Sequence, residues 1–299
     1  MTTRGGETAL PALAVAGSAL FWGLWWLPLR ALAERGLPGG WASLAVYAVA
    51  AAALVPFAWT QRARLRAGGW NLFWSGFLFG LVLVLWNHAV LVGEVVRVVL
   101  LFYLAPVWAT LFALILLNQR IGPARVLAIV LGLSGAAVVL GFEAGLPLPG
   151  SLGDWLGLLS GILFALSVTV ARKAPEVSGF DRTFVSFACA ALVAVPMALA
   201  TGPGPSAGAM VQAMVHALPL AAAIGLLWVL PGTWLLLWGA AHLDPGRVSI
   251  LLMIEVIAAA ASASLLTDEP FGWREAAGCV LILSAGLVEA APDLRNRRP

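Results

Sequence analysis

The sequence predicts an all-α, polytopic membrane protein in which ten transmembrane helices form two inverted five-helix repeats with both termini in the cytoplasm. Three observations carry this expectation. Hydrophobic residues fill 62% of the 299 positions and charged residues only 10%, long apolar runs recur along nearly the whole chain, and residues 97–138 are repeated at 247–288.

The composition comes first. A chain this apolar carries more hydrophobic surface than a soluble core of its size encloses, so water is the wrong solvent for it. A charge-poor run of about 18 residues or more is a candidate transmembrane helix, because about 20 residues at 1.5 Å each cross the hydrocarbon and a helix satisfies its own backbone. The formal charge of +3 does not signal nucleic acid, since the basic residues sit in short breaks between apolar runs and form no continuous face. Cys189 and Cys279 each lie inside an apolar run with no Cys or His at metal-ligand spacing, and read as buried free thiols. The run from Pro11 to about Leu29 is too long for the apolar core of a signal peptide, lacks a cleavage site and is followed by further spans, so it reads as the first helix.

The runs give helices near 11–30, 41–59, 71–92, 96–117, 124–142, 154–172, 184–200, 216–239, 246–266 and 272–290. Two splits rest on turn chemistry: Gly93 and Glu94 divide the third from the fourth, and His242, Asp244, Pro245 and Gly246 divide the eighth from the ninth. With a cytoplasmic amino terminus, Arg4, Arg62, Arg64, Arg66, Arg120, Arg125, Arg172, Lys173, Arg182, Arg247, Arg295, Arg297 and Arg298 fall inside, 13 of the 17 basic residues. Arg30, Arg35, Arg97 and Arg274 remain outside, and the outer loops near 143–153 and 201–215 hold no Lys or Arg. This asymmetry is what the positive-inside rule expects of ten spans with both termini cytoplasmic.

The repeat follows. A fixed offset of 150 residues pairs identical residues at 12 of 42 positions without a gap, among them Arg97/Arg247, Gly122/Gly272 and Ser134/Ser284. Five helices per half is an odd number, so the second copy enters the membrane from the opposite side. Inverted repeats are the recurring architecture of secondary transporters, in which two related halves enclose a midplane site. The chain divides into a cytoplasmic segment at 1–10, a first repeat at 11–142, a second at 154–290 and a basic tail at 291–299.

Particular residues then carry a resemblance. The first copy reads Leu104-Ala105-Pro106 followed by Asn118-Gln119-Arg120, and the second Ile254-Glu255-Val256 followed by Asp268-Glu269-Pro270; the first span, 11–30, carries Phe21-Trp22-Gly23 and ends at Arg30. In these features the chain resembles the ten-helix EamA-type exporters of the drug/metabolite transporter superfamily. The first copy keeps the family's proline without its Glu, and the second keeps the Glu without the proline. Tyr103-Leu104-Ala105-Pro106 and the aromatic-rich helices resemble the aromatic amino acid exporter branch, which implies export of amino acids or related metabolites.

Glu255 is the sharpest single signal, because it stands near the middle of an apolar run, where a carboxylate is expensive and is functional by default. It reads as a site for a proton or a substrate ammonium, with Ala258, Ala259 and Ser262 on its helical face leaving room for a ligand or a close helix. Asn87 and His88 lie inside the third run and can line a pathway. Trp22, Trp108 and Trp228 lie near span centres, and Tyr103 lies a turn from Pro106, so each can stack on a substrate or pack in the interior. Arg30 is a candidate for a substrate carboxylate, with snorkelling to water as the ordinary alternative. Trp41, Trp59, Trp70, Trp155 and Trp273 sit near predicted helix ends, where indole belongs at the membrane interface.

The enzyme classes find little support. Lys173 is the sole lysine and no nucleotide-binding, HExxH or CxxC motif is present, so hydrolysis-driven pumping, a metal centre and a cofactor are not expected. Gly132-Leu133-Ser134-Gly135 is similar to the GxSG motif of rhomboid intramembrane proteases, with His216 or His242 as a candidate base, but neither histidine lies mid-span and Ser134 is matched by Ser284 in the repeat. A channel would need a ring of like polar residues, which the sequence lacks. The expected partners are a small-molecule substrate, the lipid bilayer and protons. An organic-cation exporter of the same fold is the competing reading, with Glu255 as counter-ion and aromatics as a cage.

Overall fold

The computed structural model describes residues 9–37, 39–93, 95–140, 149–200, 207–266 and 272–295, and these are helices joined by short turns. Helices occupy all ten predicted stretches. In order they are α1 (Ala9–Gly23), α2 (Trp26–Ala33), α3 (Gly39–Thr60), α4 (Arg62–Ala67), α5 (Gly69–Val92), α6 (Val95–Phe102), α7 (Ala105–Leu117) and α8 (Pro123–Leu140) in the first half. The second half holds α9 (Leu152–Arg172), α10 (Gly179–Ala200), α11 (Ala207–Ile224), a π-helical turn (Gly225–Val229), α12 (Leu230–His242), α13 (Pro245–Leu252), α14 (Ile254–Leu266) and α15 (Trp273–Arg295). Among the described residues eight helices, some assembled from consecutive segments, are long and apolar enough to cross a membrane. The apolar part of α8, Pro123–Val139, is shorter, and α15 carries charged residues toward both ends.

The interruptions have local causes. Pro106 has no N–H for the carbonyl of Phe102, and there α6 gives way to α7. Pro28 likewise offers nothing to Leu24, where α1 stops and α2 begins. Pro231 follows the π turn, in which the Leu230 N–H reaches back five residues to the Gly225 carbonyl. The break between α13 and α14 at Met253 has no proline at all; Val256 N–H bonds Met253 O at 3.0 Å in a tightened turn. Tyr103 and Met253 are 150 residues apart, so the two copies break at the same place.

The packing respects the same relation. α5 packs on α9 as α12 packs on α1, and the α6–α7 pair lies on α9 as the α13–α14 pair lies on α1. α5 also packs on α10, as α11 and the π turn pack on α3, and the contacts of α3 with α10 and of α8 with α15 each join a helix to its own counterpart. A two-fold exchange of the halves therefore maps the contact pattern onto itself.

Several charged residues that break the apolar pattern are helical and buried. α10 starts at Gly179 rather than 184, with Asp181 2% and Arg182 0% exposed. Arg64 holds the Asp181 carboxylate at 2.8 and 3.0 Å, and Arg182 donates to the carbonyls of Ala171, Ala174 and Val177. The hydrogen bond to Asp181 raises the pKa of Arg64, which lies between spans. α11 likewise begins at Ala207, within the stretch expected to be an outer loop. Asp244 caps α13 by accepting from Gly246 and Arg247, which fixes the split between the eighth and ninth runs. Cys189 and Cys279 are free, the second buried and the first half-buried. Trp59, Trp70, Trp155 and Trp273 are exposed, whereas Trp41 packs partly against the interior.

Candidate functional site

The site is built where the two broken helices meet. Tyr103, at the break after α6, and Met253, at the break after α13, belong to one small buried cluster. Glu255 follows Met253 and so lies in the first turn of α14 rather than at mid-helix. There the exposed N–H groups and the dipole of α14 favour a negative charge, which an unbroken helix would not have supplied. The Tyr103 side chain is the polar neighbour with which the Glu255 carboxylate interacts. Two helix breaks from opposite halves thus bring a hydroxyl and a carboxylate close together.

α1 seals one side of this point. A Cβ added to Gly23 would stand 2.5 Å from the Glu255 backbone oxygen and 2.6 Å from the Ala258 Cβ, so only glycine lets α1 approach α14 this closely. One turn along, Trp26 Nε1 donates to Ser262 Oγ at 3.1 Å. Ala258 and Ser262 are therefore taken up by the neighbouring segment, while Ala259 also lines the cavity, so the face serves both of the uses expected for it.

A cavity of about 900 Å³ extends from Glu255 to the end of the bundle that carries Arg30 and Arg274. Behind it lies a recess of about 50 Å³, and Trp22, Trp86, Asn87, Phe102 and Glu255 border both spaces. Most of the wall comes from α1, α2, α5, α6 and α14, with Ser43 and Tyr47 from α3 and single side chains, Phe164 and Leu236, from α9 and α12. The walls are aromatic: Trp22 meets Trp25 edge-on at 5.8 Å, and Trp86 meets Phe102 edge-on at 6.4 Å.

The sequence candidates separate here. Glu255, Asn87, Tyr103, Trp22 and Arg30 line the cavity. His88 is half-buried and lines neither space, as does Trp108. Trp228 also stands outside the lining: its indole N–H donates to the Phe21 carbonyl at 2.8 Å, and its ring packs edge-on against Phe21. Phe21 lost its helical partner at the α1 break, where Trp25 N–H bonds Trp22 O instead, so Trp228 satisfies a freed carbonyl. Arg30 is at the cavity mouth, 67% exposed, and faces an equally exposed Glu34 at 3.4 Å.

Sequence reading did not single out Trp86, Phe102, Ser43 or Tyr47. A hydroxyl or indole well inside an apolar run was the available signal, and the abundance of tryptophan concealed it. It also missed a half-buried ion cluster at the opposite end. Arg125 of α8 holds Asp244 at the start of α13 and Glu289 of α15, the latter at 2.6 Å from Nη2. Among the described residues no group of three or more His, Cys, Asp or Glu side chains is placed to hold a metal ion.

The protease-like motif resolves into packing. Gly132 and Gly135 are buried, and a Cβ on Gly135 would meet the Gly278 carbonyl of α15 at 2.7 Å. Ser134 points outward and is exposed. His216 and His242 each bond a carbonyl one turn back, Gln212 and Trp238 respectively.

A two-copy helical bundle with a largely apolar, aromatic-walled cavity that holds a carboxylate is the architecture of a membrane transport protein. The EamA-like transporter family model matches residues 9–141 and again 151–288, and the chain belongs to that family, whose members are transporters of the drug/metabolite superfamily rather than enzymes. A solved crystal structure, titled only as that of a protein, matches with a TM-score of 0.73 and 20% identity over 99% of this chain and 100% of its own; at that identity it shows the fold. No curated protein matches the chain.

Proposed function

We propose that this protein is a secondary transporter that exports amino acids, aromatic or hydrophobic ones included, or related small metabolites across the inner membrane. Ten spans in two inverted repeats, both termini cytoplasmic, would alternate access to the cavity, and the end carrying Arg30 and Arg274 would be the external one. The observation that carries this reading is the Glu255 carboxylate at the deep end of an aromatic-walled cavity of about 900 Å³. A carboxylate there attracts a substrate ammonium, and the indole and phenyl walls accept an apolar body and a cation alike. A proton can replace the ammonium on the same carboxylate, which is the simplest way to exchange one for the other.

The organic-cation reading keeps one specific support. Arg30 is exposed and faces Glu34, so the deep end holds a carboxylate with no guanidinium beside it among its lining residues. Efflux of labelled amino acids and quaternary ammonium compounds from proteoliposomes, with and without a pH gradient, separates the two. Amino acid efflux that Glu255→Gln abolishes is the expected result. Movement of the cations alone replaces the amino acid reading, and movement of neither removes both.

A further inference from the structure

The hydrogen-bonding capacity of Asn87 can be accounted for atom by atom. Its amide nitrogen donates to Ser43 Oγ at 2.9 Å and to Tyr47 Oη at 2.8 Å, which consumes both amide hydrogens. Its oxygen faces Trp25 Nε1 at 3.5 Å, and an indole N–H can only donate, so the amide is fixed in this sense rather than its flipped one. The side chain is 8% exposed and borders both the cavity and the recess. What it still has to offer a ligand is a lone pair on Oδ1.

Glu255 borders the same two spaces, and an ionised carboxylate is also an acceptor only. Its neighbour Tyr103 has one hydroxyl hydrogen to offer, which leaves further acceptor positions on the carboxylate. The deep end therefore presents acceptors from α5 and from α14, set among Trp22, Trp86 and Phe102. A quaternary nitrogen is satisfied by charge and aromatic faces alone, and its methyl groups would cover the remaining lone pair of Asn87 Oδ1 without supplying a donor. A primary ammonium has three N–H groups and can donate to both oxygens.

We infer that Asn87 determines specificity: its oxygen, held by Ser43, Tyr47 and Trp25, acts with the Glu255 carboxylate to select substrates bearing a primary ammonium over their N-trimethylated counterparts. This rests on the cavity being the substrate site. It also explains why three polar side chains, two from α3 and one from the turn between α1 and α2, are spent on orienting one amide. A site built to receive N–H donors rejects an analogue that lacks them, because the remaining lone pair of the acceptor is then buried without a donor.

The test uses the full chain in nanodiscs and two matched probe pairs: L-phenylalanine with its N,N,N-trimethyl betaine, and 2-phenylethylammonium with its N,N,N-trimethyl form. Binding is read by calorimetry and by indole fluorescence. Wild type should prefer the primary ammonium by about tenfold or more in whichever pair binds, the scale of a hydrogen bond to a charged group. Asn87→Leu should bring the ratio to within about twofold of unity by weakening only the primary member. Tyr47→Phe keeps the ring, frees one amide hydrogen and should lose part of the preference, which guards against a leucine variant that fails to fold. Glu255→Gln should weaken both members together. Equal binding of both members by wild type, or a preference that survives Asn87→Leu, overturns the assignment of Asn87 and leaves the cavity reading intact. Binding of neither pair overturns the cavity reading and this inference with it.

Discussion

The two ends of the bundle are built from related halves, yet the cavity opens at one of them, where Arg97 of α6 holds Asp154 of α9 at 3.0 Å, and the other is tied more widely. At the tied end Arg125 of α8 bridges Asp244 and Glu289, joining three helices. The repeat offset carries Arg125 to Glu275 and Glu289 back to Val139, and both of those residues line the open cavity. Glu275 pairs there with its neighbour Arg274 at 3.2 Å and accepts from Gly272 N–H, so it ties no second helix through these contacts. A common frame supplies two equivalent ends, and a few side chains decide which of them is held shut.

The sharpest way to break this comparison is to remove the clamp. Arg125→Met leaves two carboxylates facing each other in a largely buried place and should cost about 3 kcal/mol of stability, the scale of a broken buried ion pair. Thermal unfolding in detergent measures the loss. In a background with Cys189 and Cys279 replaced by Ala, the buried Thr110→Cys should then react with thiol reagents faster than when Arg125 is present. Unchanged stability and labelling would show that the cluster does not hold that end closed.

Gly23→Ala tests the seam beside Glu255. Its methyl would collide with the Glu255 carbonyl and Ala258, and overpacking of this kind costs about 1–3 kcal/mol. Transport should fall with stability, because α1 and α14 must separate to admit the methyl; full activity would mean that the seam tolerates spreading. A smaller effect is expected for Trp228→Phe, which keeps a ring against Phe21 but deletes one hydrogen bond, at about 1 kcal/mol. If Trp228 instead contacts substrate, binding will drop more than stability does.

Ser134→Ala should be the quietest change, within about 0.5 kcal/mol of wild type, as for most exposed substitutions. Circular dichroism melts and the efflux assay both read it. A large loss of any activity would reopen the hydrolytic reading that the packing of Gly132 and Gly135 argues against.

Much of the site was legible in the sequence for one reason: a polar group in an apolar run is conspicuous. Glu255, Asn87 and Tyr103 were found that way and do line the cavity. The same criterion also selected His88, Trp108 and Trp228, which lie outside it, because an apolar run carries no record of which face looks inward. Charged residues near span ends were harder still. Arg125, Asp244 and Glu289 read as ordinary flanking charges, since nothing local says that residues 119 and 164 positions apart will meet.

Sequence alone determined that the chain is helical and membrane-embedded, that it is duplicated at an offset of 150, and that a carboxylate stands where lipid would not accept one. These are local or periodic properties, set by what solvent each segment can face. Tertiary structure decided the rest. The ninth run breaks at Met253 without a proline because a partner helix and its own counterpart at Tyr103 define the shape there, and that break puts Glu255 at a helix start opposite a tyrosine from the other half. Which end is open, which tryptophan holds a freed carbonyl and which way the Asn87 amide turns all depend on contacts between distant segments, and packing settles those only when the whole bundle is assembled.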